Sequence, residues 1–126
     1  MREKLKKLLN NSYAKYSHFC VSCICVMNDG REISGVNVEN ASYGATICAE
    51  RNAITTAIAL GYQKGDFKEI HIMADSDKLA MPCFMCRQVI NEFFHLDTPV
   101  YVYSNNEMQC FKVSELCPHP FGEDNL

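Results

Sequence analysis

The stretch "EIHIMADSDKLAMPCFMCRQVI", residues 69–90, decides the fold. Its first six residues, Glu69 to Ala74, form a β-prone apolar run that reads as a strand. A polar loop follows, and Pro82 then opens a helical pattern running from Cys83 to Phe94. Proline suits the first turn of a helix. Cys83 and Cys86 stand at a chelating spacing at that helix start, where unpaired N–H groups and the helix dipole favour thiolate over thiol. A second stretch, "TICAERNAI" from Thr46 to Ile54, repeats the arrangement. Cys48 lies near the start of a helix predicted over 47–60, closed by Gly61 at a natural C-cap position, and Glu50 stands two residues further on.

Working outward, residues 2–16 carry Leu5, Leu8, Leu9 and Tyr13 at helical spacing. The segment 19–38 reads as a hairpin about Asp29-Gly30. "PVYVYS" (99–104) and "MQCFKV" (108–113) complete the strands, followed by a short turn and a polar tail. Strands and helices alternate after the hairpin. The expected fold is therefore α/β: a three-layer sandwich with a mixed sheet of about five strands covered by helices. Nothing marks an internal boundary, so residues 1–126 are expected to form a single domain.

Composition narrows the function classes. The chain has 126 residues, 21% charged, with a formal net charge of −3 and no basic run beyond "REKLKK". Binding to polyanions needs a clustered basic face, so a nucleic-acid partner is not expected. The start lacks the apolar region of an export signal, and no window is long and apolar enough for a membrane span. The expectation is a cytoplasmic protein whose eight cysteines are metal ligands or buried small hydrophobes rather than a disulfide framework.

Two helix starts meeting at one point would bring Cys48, Cys83 and Cys86 together as three thiolates, leaving a fourth position of a zinc ion open. Three protein ligands plus water is the pattern of a catalytic site; four ligands is that of a structural one. A lone Cys-x-x-Cys also fits a redox pair or simple burial. The rival pair Cys20 and Cys23 lies in a strand, where residues three apart point to opposite faces. Phe19, Val21, Cys23 and Cys25 share one face and Cys20, Ser22, Ile24 and Val26 the other, so these cysteines read as packing residues, as do Cys110 and Cys117. Glu50 fits a helix-dipole partner or a carboxylate moving protons beside a metal. An ideal helix separates i and i+2 by roughly 200°, so the spacing leaves the choice open.

The order Cys48-Ala49-Glu50, then Pro82-Cys83-x-x-Cys86, resembles the zinc-dependent nucleoside deaminases, whose glutamate is not a ligand. "YSHF", "GVNVENASYG", "CAERNAI", "PCFMCRQVI" and "FGEDNL" together look like the small homotetrameric cytidine deaminases across nearly the whole chain. The resemblance implies one zinc per subunit on Cys48, Cys83 and Cys86, with Glu50 shuttling protons. It implies that Asn37 and Glu39 bond the ribose hydroxyls and that Phe19 packs on the pyrimidine. The Ala49 N–H would meet the base carbonyl oxygen and the Met81 carbonyl the exocyclic amine. Arg51 and Gln88 would support the ligands, and Phe121 and Tyr43 are candidates for sites shared between subunits. The activity implied is hydrolytic deamination of cytidine and 2′-deoxycytidine in pyrimidine salvage.

By themselves these residues have plainer readings. Asn37 and Asn40 suit a turn, Phe19 a core, Tyr43 and Arg51 a solvated surface. Two departures from the family pattern stand out and bear on substrate preference: "VSCIC" replaces a run of smaller residues, and Phe84 replaces a glycine. The alternatives are a deaminase of another aminopyrimidine compound, or a structural zinc-binding module. None of the four histidines stands at a chelating spacing to serve the latter.

Overall fold

At Asp29-Gly30 the chain reverses as expected, with Gly30 at φ 89° in the left-handed region that glycine reaches without a Cβ clash. The computed structural model describes residues 1–126. The turn joins β1 (Val21–Met27) to β2 (Glu32–Val36) in an antiparallel hairpin that places Ser22 opposite Val36 and Val26 opposite Glu32. β1 also pairs antiparallel with β3 (Phe67–Ala74), which runs parallel to β4 (Pro99–Tyr103). β4 pairs antiparallel with β5 (Met108–Lys112), giving a mixed five-stranded sheet in the order β2-β1-β3-β4-β5.

Strand periodicity sorts the side chains into two layers. Cys23 and Cys25 of β1, Ile70 and Ile72 of β3, and Val100 and Val102 of β4 face α2 (Ala49–Ala59) and α3 (Phe84–Phe93), and pack on Ala53, Ile54, Ala57 and Ile90. On the other face Ile24, Met73 and Tyr103 meet Leu5 of α1 (Arg2–Leu9), and the buried Ser22 hydroxyl donates to the Leu5 carbonyl at 2.9 Å. The result is the expected three-layer sandwich, and the two faces of β1 separate Cys23 and Cys25 from Ile24 as the alternation requires.

Three details differ from the sequence reading. The first helix stops at Leu9 instead of continuing to residue 16, because Asn10, Asn11 and Ser12 favour caps and turns over helix interior. Tyr13 then forms a bridge with Val38. A short helix, α4 (Val113–Leu116), follows β5 where only a turn was expected. Cys110 is not a packing residue: it lies on β5, the exposed edge strand, and its side chain is open to solvent.

One contact positions α2. A Cβ on Gly35 of β2 would stand 2.4 Å from the Ala49 carbonyl oxygen and 2.5 Å from the Ala53 nitrogen. Only a residue without a side chain lets strand and helix approach this closely. Asn52 fastens the same junction by donating to the Val36 carbonyl at 2.8 Å.

Candidate active site

Cys48 and Cys83 occupy equivalent places, each the N-cap of its helix with extended backbone (φ −70°, ψ 156° and φ −65°, ψ 163°). Cys86 lies in the first turn of α3 and is fully buried. The helix starts converge, and the three Sγ atoms lie within 4.8 Å of one another, with Cys48 and Cys83 3.9 Å apart. Four ligands around zinc at a Zn–S distance of about 2.3 Å would put tetrahedral edges at roughly 3.8 Å. This sulfur-only donor set, at two helix N-termini whose dipoles favour negative charge, fits zinc. No histidine or carboxylate completes a four-ligand cage in the cluster, which leaves the open position of a catalytic centre.

The N-cap position also answers the question of spacing. Cys48 is not inside the helix, so the roughly 200° rotation between i and i+2 does not apply to it. Glu50 can therefore share its site. That carboxylate is only 4% exposed, and burial, reinforced by the neighbouring Cys48 sulfur, raises its pKa above the usual range. The Cys48 thiol is drawn down to about 5, first by its contact with the Cys86 thiol and then by Arg51 and Cys83. Cys86 moves the opposite way, because it gives the proton in that contact and is buried. Arg51 holds an Nη 3.5 Å from the Cys48 Sγ, while its Nε is buried without a partner. It is the cationic neighbour that an anionic three-sulfur site needs.

A cleft of about 180 Å³ opens over Cys48, Ala49, Glu50 and Cys83, and Phe19, Asn37 and Met81 line it as well. Phe19 is 43% exposed, which removes the reading of a core residue. Asn37 is buried, accepting from the Val21 N–H at 2.9 Å and donating to the Phe19 carbonyl at 2.8 Å, so it holds the entry to β1 against the cleft wall. Ala49 is the first residue of α2, and its N–H belongs to the helix start, where no intrahelical acceptor exists.

Glu39 lies outside this cleft, in an adjoining depression with Tyr16, Tyr43 and Thr46. Its carboxylate accepts from the Tyr16 and Ser17 N–H groups and from the Ser17 hydroxyl, and these bonds hold its pKa below the usual carboxylate range. Thr46 lines both cavities and joins them. Gln88 is not beside the sulfurs: it is exposed and donates to the Phe121 carbonyl at 2.9 Å. Phe84 likewise stays out of the cleft and lines a groove against the C-terminal segment, so its bulk does not crowd the site. Sequence reasoning missed Thr46, Val21, Ile72 and Ala80 in the cleft wall, since apolar and small residues carry no signal of a site until the fold assembles them.

Together, a mixed sheet, two converging helix starts, three sulfurs and a buried carboxylate define a zinc-centred hydrolase site. A family model of the cytidine and deoxycytidylate deaminase zinc-binding region matches residues 1–103, and the chain belongs to that family. It is 40% identical to a cytidine deaminase of Halalkalibacterium halodurans, across 91% of this chain and 86% of that protein. Identity to a cytidine deaminase of Sporosarcina psychrophila is 35%, across 96% and 88%. The crystal structure of cytidine deaminase from Burkholderia pseudomallei superposes with a TM-score of 0.90 at 37% identity, covering 94% of each chain. The chain is a hydrolytic deaminase with one zinc per subunit.

Proposed function

We propose that this enzyme converts cytidine and 2′-deoxycytidine to uridine and 2′-deoxyuridine, consuming water and releasing ammonia, and that it serves pyrimidine salvage in the cytoplasm. The observation that carries the reading is Glu50, buried at the floor of the cleft beside three sulfurs whose mutual spacing suits a single zinc ion. Cys48, Cys83 and Cys86 would hold the zinc, which would supply a Lewis acid that makes water nucleophilic near neutral pH. Glu50 accepts a proton from the attacking water and delivers it to ring N3 as the water oxygen bonds to C4, then carries the hydroxyl proton to the exocyclic nitrogen as the C4–N bond breaks and ammonia leaves. Its raised pKa suits a group that must both take and give a proton. Phe19 packs on the pyrimidine, the Ala49 N–H donates to the base carbonyl oxygen, and the Met81 carbonyl accepts from the exocyclic amine. Asn37 faces the ribose from the cleft wall, and Glu39 meets its hydroxyls from the adjoining depression.

Support for a homotetramer with shared sites comes from aromatic side chains that this chain leaves uncovered: Tyr43 is 76% exposed, Phe84 78% and Phe121 56%. Phe121 does not reach the cleft of its own chain, so in this reading it and Tyr43 complete a neighbour's site. None of the eight cysteines is paired in a disulfide, in keeping with a reducing compartment, and no helix is long and apolar enough to cross a membrane.

The test is ultraviolet absorbance of zinc-loaded protein with cytidine, beside Glu50→Gln, with light scattering on the same preparation. Wild type is expected to produce the uridine spectrum at a mass of four chains. Glu50→Gln is expected to retain zinc and lose turnover by a factor of about 10²–10⁴. Equal turnover in the variant would remove Glu50 from the reaction. A zinc-loaded wild type inert toward cytidine would redirect the search to other aminopyrimidines.

A further inference from the structure

Arg87 follows Cys86 directly, yet its side chain turns away from the cleft toward α4. Its Nε donates to the Pro82 carbonyl at 2.8 Å and one Nη to the Leu116 carbonyl at 3.2 Å. The guanidinium carbon also lies 4.5 Å from the centre of the Phe84 ring. The backbone of the same residue is held as well: its N–H donates to the Cys83 carbonyl at 2.9 Å, and its carbonyl accepts from the Cys117 thiol at 3.3 Å.

The bond to Pro82 has a geometric consequence. The pyrrolidine ring fixes φ of Pro82, and the hold on its carbonyl fixes ψ. With both dihedrals set, the Met81–Pro82 peptide plane and the origin of the Cys83 side chain take one arrangement relative to α3. Met81 and Cys83 both line the cleft. The guanidinium suits this task because its planar fork serves two carbonyls on separate segments while its face stacks on an aromatic ring; a lysine ammonium offers neither the fork nor the face.

We propose that Arg87 is a positioning residue for the deamination. Acting through Pro82, it aims the Met81 carbonyl at the exocyclic amine of the pyrimidine and aims the Cys83 sulfur at the other two. Phe84, the bulky residue between the paired cysteines, is the platform that keeps the guanidinium in place. The statement about Met81 rests on the cytidine deaminase reading; the statement about Cys83 does not.

The experiment compares zinc-loaded wild type with Arg87→Met, Arg87→Lys and Phe84→Ala. It reads KM for cytidine, inhibition by uridine, and the rate of zinc release to a chromogenic chelator. Uridine carries a carbonyl oxygen in place of the amine, so it makes no bond to the Met81 carbonyl. Arg87→Met is expected to raise KM for cytidine about tenfold, the loss of one good hydrogen bond, while uridine inhibition stays at the wild-type value. Zinc release is expected to quicken by about tenfold, as for other residues that orient a metal ligand. Arg87→Lys should recover part of both effects, and Phe84→Ala should move both in the same direction by less.

Equal weakening of cytidine and uridine would overturn the assignment to Met81, since general damage to the cleft predicts that pattern. Unchanged zinc release in Arg87→Met would overturn the assignment to Cys83. If wild type itself leaves cytidine intact, the deaminase reading fails, and zinc release alone decides the role of Arg87. Should Arg87→Met not fold, Arg87→Lys and the exposed Phe84→Ala carry the same comparison, and wild-type values in both would overturn the proposal.

Discussion

Cys48, Glu50 and Arg51 fall within four consecutive residues yet do three different jobs, because each meets the helix start differently. Cys48 stands outside the helix as its cap, Glu50 turns into the buried floor, and Arg51 reaches back to the sulfur. Three thiolates on a divalent cation leave a net negative charge, which weakens the metal as a Lewis acid. The Arg51 guanidinium offsets that charge from 3.5 Å. Arg51→Gln is therefore expected to release zinc about tenfold faster to a chromogenic chelator, in line with losses at residues supporting metal ligands. An unchanged rate would leave Arg51 a surface charge. Cys83 and Cys86 were legible in the sequence as a chelating pair, while Cys48 and Glu50 stood out through the ordered motif they share with a known family rather than through their spacing. Gly35 and Arg87 were not, since their importance comes from contacts with residues distant in the chain.

At the scale of elements, α2 is placed by the absence of a side chain. The backbone of Gly35 lies so close to Ala49 and Ala53 that an added methyl group must displace either the strand or the helix. Displacing the helix moves Cys48 and Glu50 with it. Gly35→Ala is expected to cost about 1–3 kcal/mol in chemical denaturation, as overpacking does, and also to lower turnover of the folded fraction. Lost stability with full specific activity would show that the strand yields instead. The hairpin, the end of α2 and the start of α3 were readable from Asp29-Gly30, Gly61 and Pro82. The end of α1 was not, because the apolar spacing continues to Tyr13 while Asn10, Asn11 and Ser12 break the helix, and Tyr13 finds a strand-like partner in Val38. Cys110 was misread for a related reason: only the order of strands reveals that β5 is an edge.

At the scale of the whole molecule, the face of the sheet opposite the active site carries its own titratable group. His71 is buried there, stacked on Tyr101 at 4.6 Å, with its Nδ1 2.8 Å from the Tyr103 hydroxyl and its Nε2 3.3 Å from the Glu69 carboxylate. Burial lowers its pKa below the ordinary 6.5, against the pull of Glu69 and Glu32. The folded state thus prefers neutral His71. Its contribution to stability is complete above the unfolded value of about 6.5 and is lost as pH falls from there toward the lower folded value. The thermal midpoint is expected to decline between pH 7 and pH 5.5, and His71→Gln to flatten that decline. An identical slope in the variant would place the acid sensitivity elsewhere.

The site also imposes an order of assembly on the chain. Cys48 arrives with the hairpin and α2, whereas Cys83 and Cys86 arrive with β3 and α3, and 35 residues separate the first sulfur from the second. Cys48 meets the Cys83–Cys86 pair through the pairing of β1 with β3, a long-range contact whose loop-closure entropy must be overcome first. If that pairing limits the folding rate, zinc clamps contacts that form after the transition state. In stopped-flow measurements the metal is expected to slow unfolding and leave the refolding rate nearly unchanged; faster refolding with zinc would mean that the metal gathers its ligands before the sheet exists.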